Sequence, residues 1–128
     1  MSGQRILIVD DEEAILSAMK DYLESFDWEV DCARDVDEAR RLLSGESYSV
    51  VIADLRLSPT QAIGGLDLIT YVREQHPATR TVLLTAYGSS QVEQEARRLG
   101  VDAFLHKPQP LAEIIKIVYG VVGQSGKA

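Results

Sequence analysis

Four apolar runs in this chain end in side chains able to do chemistry. Arg5-Ile6-Leu7-Ile8-Val9 ends in Asp10-Asp11, Ser49-Val50-Val51-Ile52-Ala53 ends in Asp54, and Thr81-Val82-Leu83-Leu84 ends in Thr85. The shorter Val101–Leu105 run is followed by Lys107-Pro108. Carboxylates brought into one crevice repel, and their pKa values rise unless a cation neutralises them. An all-oxygen donor set suits a hard divalent ion. Mg2+ is favoured, because it takes one or two carboxylates, keeps waters and leaves room for phosphate oxygens. Thr85 offers a hydroxyl donor, and Lys107 an ammonium for a carboxylate or a phosphoryl oxygen. The set reads as a carboxylate nucleophile, Asp54, forming an aspartyl phosphate while metal and Lys107 spread the charge of the transferring group. No Gly-rich loop with a Lys is present to hold a nucleotide, so the phosphate comes from a phosphorylated partner or a small phosphodonor.

Those residues need strands that end together. Continuous rather than alternating apolar character is what a parallel sheet covered on both faces requires. Between the runs lie helical patterns. Ala14, Ile15, Ala18, Met19, Tyr22, Leu23 and Phe26 follow the first strand, and acids at Asp11 to Glu13 suit a helix start. Trp28 to Ala33 alternates as a half-exposed strand does. Asp35 to Glu38 has the form of a capping box, opening a helix with Ala39, Leu42 and Leu43 inside and Gly45 at its end. Leu66, Leu68, Ile69 and Val72 mark a third helix that stops before Pro77. Ser89 or Ser90 caps a fourth, with Val92, Ala96 and Leu99, closed by Gly100. Pro110 opens a fifth with Leu111, Ile114, Ile115 and Val118 on one face. Five strands alternating with five helices predict a doubly wound α/β sandwich of parallel order 2-1-3-4-5. That order sets the first and third strands side by side, so Asp10, Asp11 and Asp54 converge at the switch point.

With 128 residues the chain is one domain by length, expected to cover 1–122 with a flexible tail over 123–128. A net charge of −7 argues against direct nucleic-acid binding. No apolar run approaches the about 18 residues of a membrane span, and no signal-peptide pattern opens the chain. The single Cys32 forms no internal disulfide. The expectation is a soluble cytoplasmic domain that contacts neither membrane nor nucleic acid.

Ile6-Leu7-Ile8-Val9-Asp10-Asp11-Glu12, Val51-Ile52-Ala53-Asp54, Leu83-Leu84-Thr85-Ala86 and Phe104-Leu105-His106-Lys107-Pro108 together resemble the receiver domain of bacterial two-component response regulators. The resemblance runs from about Arg5 to Val122 and implies the flavodoxin-like (βα)5 fold. It implies Asp54 as phosphoacceptor and metal ligand, Asp11 as direct metal ligand, Asp10 as a ligand through water, and the backbone carbonyl of Arg56 as a further ligand. Thr85 and Lys107 would contact the phosphoryl group, Thr85 and Phe104 would form the switch, and the Lys107–Pro108 peptide bond would be cis. The implied partner is a sensor histidine kinase or a histidine phosphotransfer protein, and the output is unspecified. A phosphorylation-dependent homodimer is compatible with the resemblance. No enzymatic activity is implied beyond self-phosphorylation and autodephosphorylation. On phosphorylation, Thr85 would draw in the loop before the fourth helix, Phe104 would fill the space vacated, and the face formed by the fourth helix, fifth strand and fifth helix would change. The segment Leu57 to Gly65 departs from the family by placing Ser58 where a Pro is usual, with Pro59 after it, and by its extra length through Gln61-Ala62-Ile63-Gly64-Gly65.

Plainer readings stand beside these. Asp10 and Asp11 could merely start a helix, Thr85 could be an ordinary strand end, and Phe104 could be fixed core. His76, His106 and Cys32 read as surface or structural residues, and Arg97-Arg98 as a solvated face. Tyr87 occupies a position that tunes dephosphorylation in receivers. Three rival functions are weighed. A phosphatase of haloacid-dehalogenase type needs an Asp two residues after its strand-1 nucleophile, where Glu12 stands here. A flavodoxin-like cofactor binder needs a Ser/Thr-rich loop where this chain is acidic. A phosphorylation-independent interaction module would have no use for the whole set.

Overall fold

The computed structural model describes residues 4–57, 64–86 and 89–126. Ser58, Pro59, Gln61 to Ile63 and Tyr87, each given a reading above, lie outside them. The strands are β1 (Arg5–Val9), β2 (Glu29–Ala33), β3 (Val50–Ala53), β4 (Arg80–Thr85) and β5 (Ala103–His106). The helices are α1 (Glu13–Glu24), α2 (Val36–Gly45), α3 (Gly64–Gln75), α4 (Ser90–Arg98) and α5 (Leu111–Gly126). All strand pairs are parallel, in the order β2-β1-β3-β4-β5. This is the doubly wound architecture expected from the apolar runs.

Period-2 alternation sends successive strand residues to opposite faces. Ile6, Ile8, Val50, Ile52, Val82 and Leu84 join Leu16, Met19, Leu23, Ile114, Ile115 and Val118 in one core cluster, under α1 and α5. Leu7, Val9, Val51, Ala53, Leu83 and Phe104 join Leu43, Leu68, Ile69, Val72 and Ala96 in the other, under α2, α3 and α4. Both faces of the central strands are dry, which explains why their sequences are continuously apolar.

Local chemistry ends the helices largely as read. Asp35 accepts from the Glu38 backbone N–H at 2.8 Å, while the Glu38 carboxylate accepts from the Arg34 N–H at 2.9 Å, one residue before the N-cap. Of the two candidate serines, Ser89 caps α4, accepting from the Val92 N–H at 3.2 Å. Gly100 closes α4 at φ +95°, a backbone conformation that disfavours side chains. Two expectations need adjustment. The buried stripe of α1 is Leu16, Met19 and Leu23, with Ile15 and Tyr22 at its margin. Ala14 and Ala18 fall outside it, and Phe26, past the helix end, is 41% exposed. α5 continues beyond the Val122 boundary to Gly126.

The sheet positions the site through register. Val9 pairs with Ala53, so the next residues on β1 and β3 come level. The Asp54 N–H donates to the Val9 carbonyl at 3.0 Å and the Asp10 N–H to the Ala33 carbonyl at 3.1 Å, carrying the ladder one residue past the strands. At the far side Thr85 pairs with His106, and the Lys107 N–H donates to the Thr85 carbonyl at 2.9 Å. Gly65 lets α3 close onto this edge. Its N–H donates to the Leu55 carbonyl at 2.8 Å, and a Cβ there would lie 2.4 Å from the Asp54 carbonyl oxygen and 2.8 Å from Leu55 Cα.

The two nearest obstructing atoms are backbone and the third, Leu83 Cδ2 at 2.9 Å, is in the packed core, so Gly65→Ala should destabilise by about 1–3 kcal/mol in urea unfolding. Gly45→Ala, at a helical position with open space around it, should be neutral or stabilising by up to about 1 kcal/mol. Equal midpoints for the two variants would refute the close-approach argument.

Candidate functional site

Among the described residues only Asp10, Asp54, Thr81 and Thr85 are buried polar or charged side chains. Three of these four are residues the sequence singles out for chemistry. Burying a carboxylate without compensation is costly, and the compensation comes from 97 and 53 residues away in the chain. Lys107 Nζ donates to Asp10 Oδ2 at 2.7 Å and to Asp54 Oδ2 at 3.1 Å. The Lys107 side chain is 14% exposed and the two acids 5% each. The other Asp10 oxygen accepts from the Glu12 N–H at 3.0 Å. Asp10 thus serves both the α1 start and the ion pair.

Asp54 is less well provided for. Its Oδ1 is buried with no hydrogen-bond donor from the protein. Burial pushes its carboxyl above the usual carboxylate range and repulsion from Asp10 adds to this, against the opposing pull of Lys107 and the Thr85 hydroxyl. For Lys107, burial works to lower the pKa, but pairing with Asp10 and Asp54 outweighs it and leaves the ammonium firmly charged. One cation therefore serves two buried anions and leaves one acceptor unsatisfied.

Asp11, exposed at the mouth, completes an acidic triad. One oxygen from each of Asp10, Asp11 and Asp54 lies within 4.8 Å of the others. Hard oxygen donors with an unpartnered buried lone pair are what a divalent cation would complete. Arg56 follows two residues after Asp54, half-buried in the same loop. Thr85 is fully buried at the end of β4. Phe104 is also buried, 6% exposed, within the α2–α3–α4 core. The Lys107–Pro108 bond is cis.

Two features were not anticipated from sequence. Glu12 Oε1 lies 3.9 Å from Lys107 Nζ, so a further acid attends the same ammonium from the rim. Its position in the Asp10-Asp11-Glu12 run was visible, but its orientation depends on the turn into α1. The second is an apolar slot of about 240 Å³ beside the crevice, lined by Ile15, Ala18, Met19, Pro108, Leu111 and Ile114. Lys107 forms part of its wall. No sequence period reports it, because α1 and α5 contribute from opposite ends of the chain.

Comparison with known proteins agrees with this geometry. Residues 6–119 match the response regulator receiver domain. Response regulator protein PilR of Pseudomonas aeruginosa is 37% identical over 118 residues, 92% of this chain and 26% of PilR. The alginate biosynthesis transcriptional regulatory protein AlgB of the same species is 35% identical over 104 residues, 81% of this chain and 22% of AlgB. The chain thus spans about a quarter of the length of these relatives. A CheY-like receiver domain protein from Methanospirillum hungatei superposes with a TM-score of 0.91 at 26% identity, covering 97% of both chains. A response regulator protein from Burkholderia pseudomallei, solved with a phosphorylated aspartic acid, calcium ion and citrate, gives 0.84 at 26% identity over 95% of this chain and 70% of that one.

Removing the shared cation should expose its worth. Lys107→Ala leaves two buried carboxylates facing each other, a loss of about 3–5 kcal/mol near neutrality. The Asp54 folded-state pKa rises further above its unfolded value, so the folded state binds more protons than the unfolded one. The deficit therefore grows as pH rises from about 5 to about 7 and shrinks on acidification. Denaturant midpoints across that range test this, and a deficit independent of pH would refute it.

Proposed function

The chain belongs to the receiver domain family of response regulators of two-component systems, and on that premise we propose that Asp54 accepts a phosphoryl group from a histidine kinase, a phosphotransfer protein or a small phosphodonor. The observation that carries this reading is the buried Asp54 Oδ1, which has no donor from the protein in an otherwise paired site. The similar Burkholderia pseudomallei protein, with a phosphorylated aspartic acid and a calcium ion, supports pairing the two chemistries.

A carboxylate oxygen of Asp54 attacks phosphorus and forms a new P–O bond. The bond from phosphorus to the donor's nitrogen or oxygen breaks, and the leaving group departs with the electron pair. A protonated carboxyl is a poor nucleophile, so Lys107 first serves by holding Asp54 ionised against burial. As Asp54 acquires the phosphoryl group, Lys107 keeps Asp10 at 2.7 Å and transfers its second hydrogen bond to a phosphoryl oxygen. The Thr85 hydroxyl donates to another. Asp11, Asp54 and the Arg56 carbonyl, with Asp10 through water, would hold Mg2+, which when bound would supply positive charge to the phosphoryl oxygens.

A protein donor needs a foothold beside the crevice, and the slot between Ile15, Ala18, Met19 and Leu111 provides an apolar one. The readout passes the other way. Thr85 is paired to β5 through the Lys107 N–H, so its movement toward phosphate pulls on the strand carrying Phe104. The output face then comprises the exposed parts of Ser89–Arg98 and of Ala112–Tyr119. What that face controls is a partner or an attached effector. The chemistry of the chain is confined to forming and losing its own acyl phosphate in the cytoplasm.

Incubation with acetyl phosphate and Mg2+ should add the mass of one phosphoryl group to the wild type and none to Asp54→Asn. Chelation of the metal should abolish the gain, and equal labelling of Asp54→Asn would overturn the reading. Ala18→Arg, at an exposed position on the slot, should slow transfer from a cognate phosphorylated protein by at least about tenfold while leaving acetyl phosphate labelling intact. Parallel loss of both would place the effect in the fold instead.

A further inference from the structure

His106 has no role in the chemistry above, yet it stands where three switch elements meet. Its backbone is level with Thr85 on the neighbouring strand. Its ring packs edge-on to Phe104, centroids 5.4 Å apart at 71°. Its Nε2 lies 3.9 Å from Glu93 Oε1 on α4. The other Glu93 oxygen accepts from Arg97 Nε at 3.1 Å and Nη2 at 2.8 Å, so the carboxylate is held with one oxygen toward Arg97 and the other toward His106. The His106 carbonyl accepts from the Gln109 side chain at 2.8 Å, which fixes the strand end from the loop side.

Residues two apart on a strand share a face, so Phe104 and His106 both point toward α4. The first is 6% exposed and the second has a side chain 59% exposed, so the imidazole lies over the ring as an outer cover. We propose that His106 is a latch: clasped between Phe104 and Glu93, it holds the aromatic ring buried and ties β5 to α4. This rests on the reading of Phe104 as the mobile aromatic of the switch.

The contact with the Phe104 ring on β5 and the contact with Glu93 on α4 are made by the same side chain, so moving either element disturbs both. Lys107, next in the chain, directs its ammonium to Asp10 and Asp54 and does not compete for Glu93. An exposed contact of this kind shifts a two-state equilibrium by no more than about fivefold, enough to bias a switch without locking it.

The composition makes the test direct, because Phe104 and Phe26 are the only phenylalanines. Protein labelled with fluorophenylalanine should give two 19F resonances, with Phe26 as internal control for folding. Without any phosphoryl analogue, His106→Ala should shift, broaden or split the Phe104 resonance and leave Phe26 in place. His106→Gln, which keeps a long side chain without the titratable ring, should restore much of the wild-type position. Glu93→Ala should move the Phe104 resonance in the same direction as His106→Ala, by up to about fivefold in population. Identical Phe104 resonances in wild type and His106→Ala overturn the latch, even where beryllofluoride moves them. A Phe104 resonance that Glu93→Ala leaves in place overturns the tie between β5 and α4. A ring that beryllofluoride leaves unmoved while His106→Ala moves it upholds the latch and overturns the switch reading of Phe104.

Discussion

One ammonium shared by two buried carboxylates is the constraint on which this structure turns. Lys107 comes from the end of β5, Asp10 from β1 and Asp54 from β3, so the contact closes the sheet's carboxyl edge across the switch point. Coulomb attraction among these groups competes with the desolvation of all three, and such balances are seldom strongly stabilising in sum. The arrangement is better understood as poised. Charge at the site is one cation short, and Asp54 retains a buried oxygen with no donor. A cation and a phosphoryl group are complementary ways to resolve that imbalance, the first by neutralising the acids and the second by giving Lys107 and Thr85 new acceptors.

The rest of the sheet serves to keep that imbalance from relaxing. If β1 and β3 slipped by one residue, every side chain would change face, and both core clusters would be exposed. The pairing of Val9 with Ala53 is therefore enforced by apolar burial on two sides, and the acids that follow inherit its precision. Gly65 tightens the frame by letting α3 press on the backbone of Asp54 and Leu55. The Asp54 and Leu55 backbone and the Leu83 side chain occupy that space, so the acid's own peptide is clamped while its carboxylate faces the crevice.

How much of this was legible in the residues differs by level. Strand identity and order were, because buried parallel strands leave continuous apolar runs and connection rules leave few topologies. Convergence of Asp10, Asp11 and Asp54 followed from that order alone, whereas the reach of Lys107 from β5 to both acids did not. The α1 face was not, since Ala14, Ile15, Leu16, Ala18 and Met19 offer apolar residues all round that turn. Only packing against β1, β2 and α5 selects the Leu16–Met19–Leu23 stripe. Side-chain aim was also illegible: Glu12 read as helix-start chemistry yet reaches toward Lys107, and His106 read as a surface residue yet touches both Phe104 and Glu93. Such contacts depend on rotamers that no period in the sequence encodes.

Why a signal would leave through α4 rather than α3 has an energetic answer. α3 buries Leu66, Leu68, Ile69 and Val72 besides its two glycines, each large side chain worth about 1.5–3 kcal/mol. α4 fully buries only Ala96, with Val92 and Leu99 partly covered. Its helix is otherwise stitched by local pairs, Glu93 with Arg97 and Glu95 with Arg98, which hold it as a helix without fixing it to the sheet. Moving α3 would forfeit several buried leucine-sized contacts, whereas moving α4 forfeits about one alanine and a few margins. Segments with few buried apolar contacts are those that shift at low cost. The same shallow burial makes an exposed imidazole and one carboxylate relevant: where the core contributes little, a contact of a fraction of a kcal/mol is enough to set the balance.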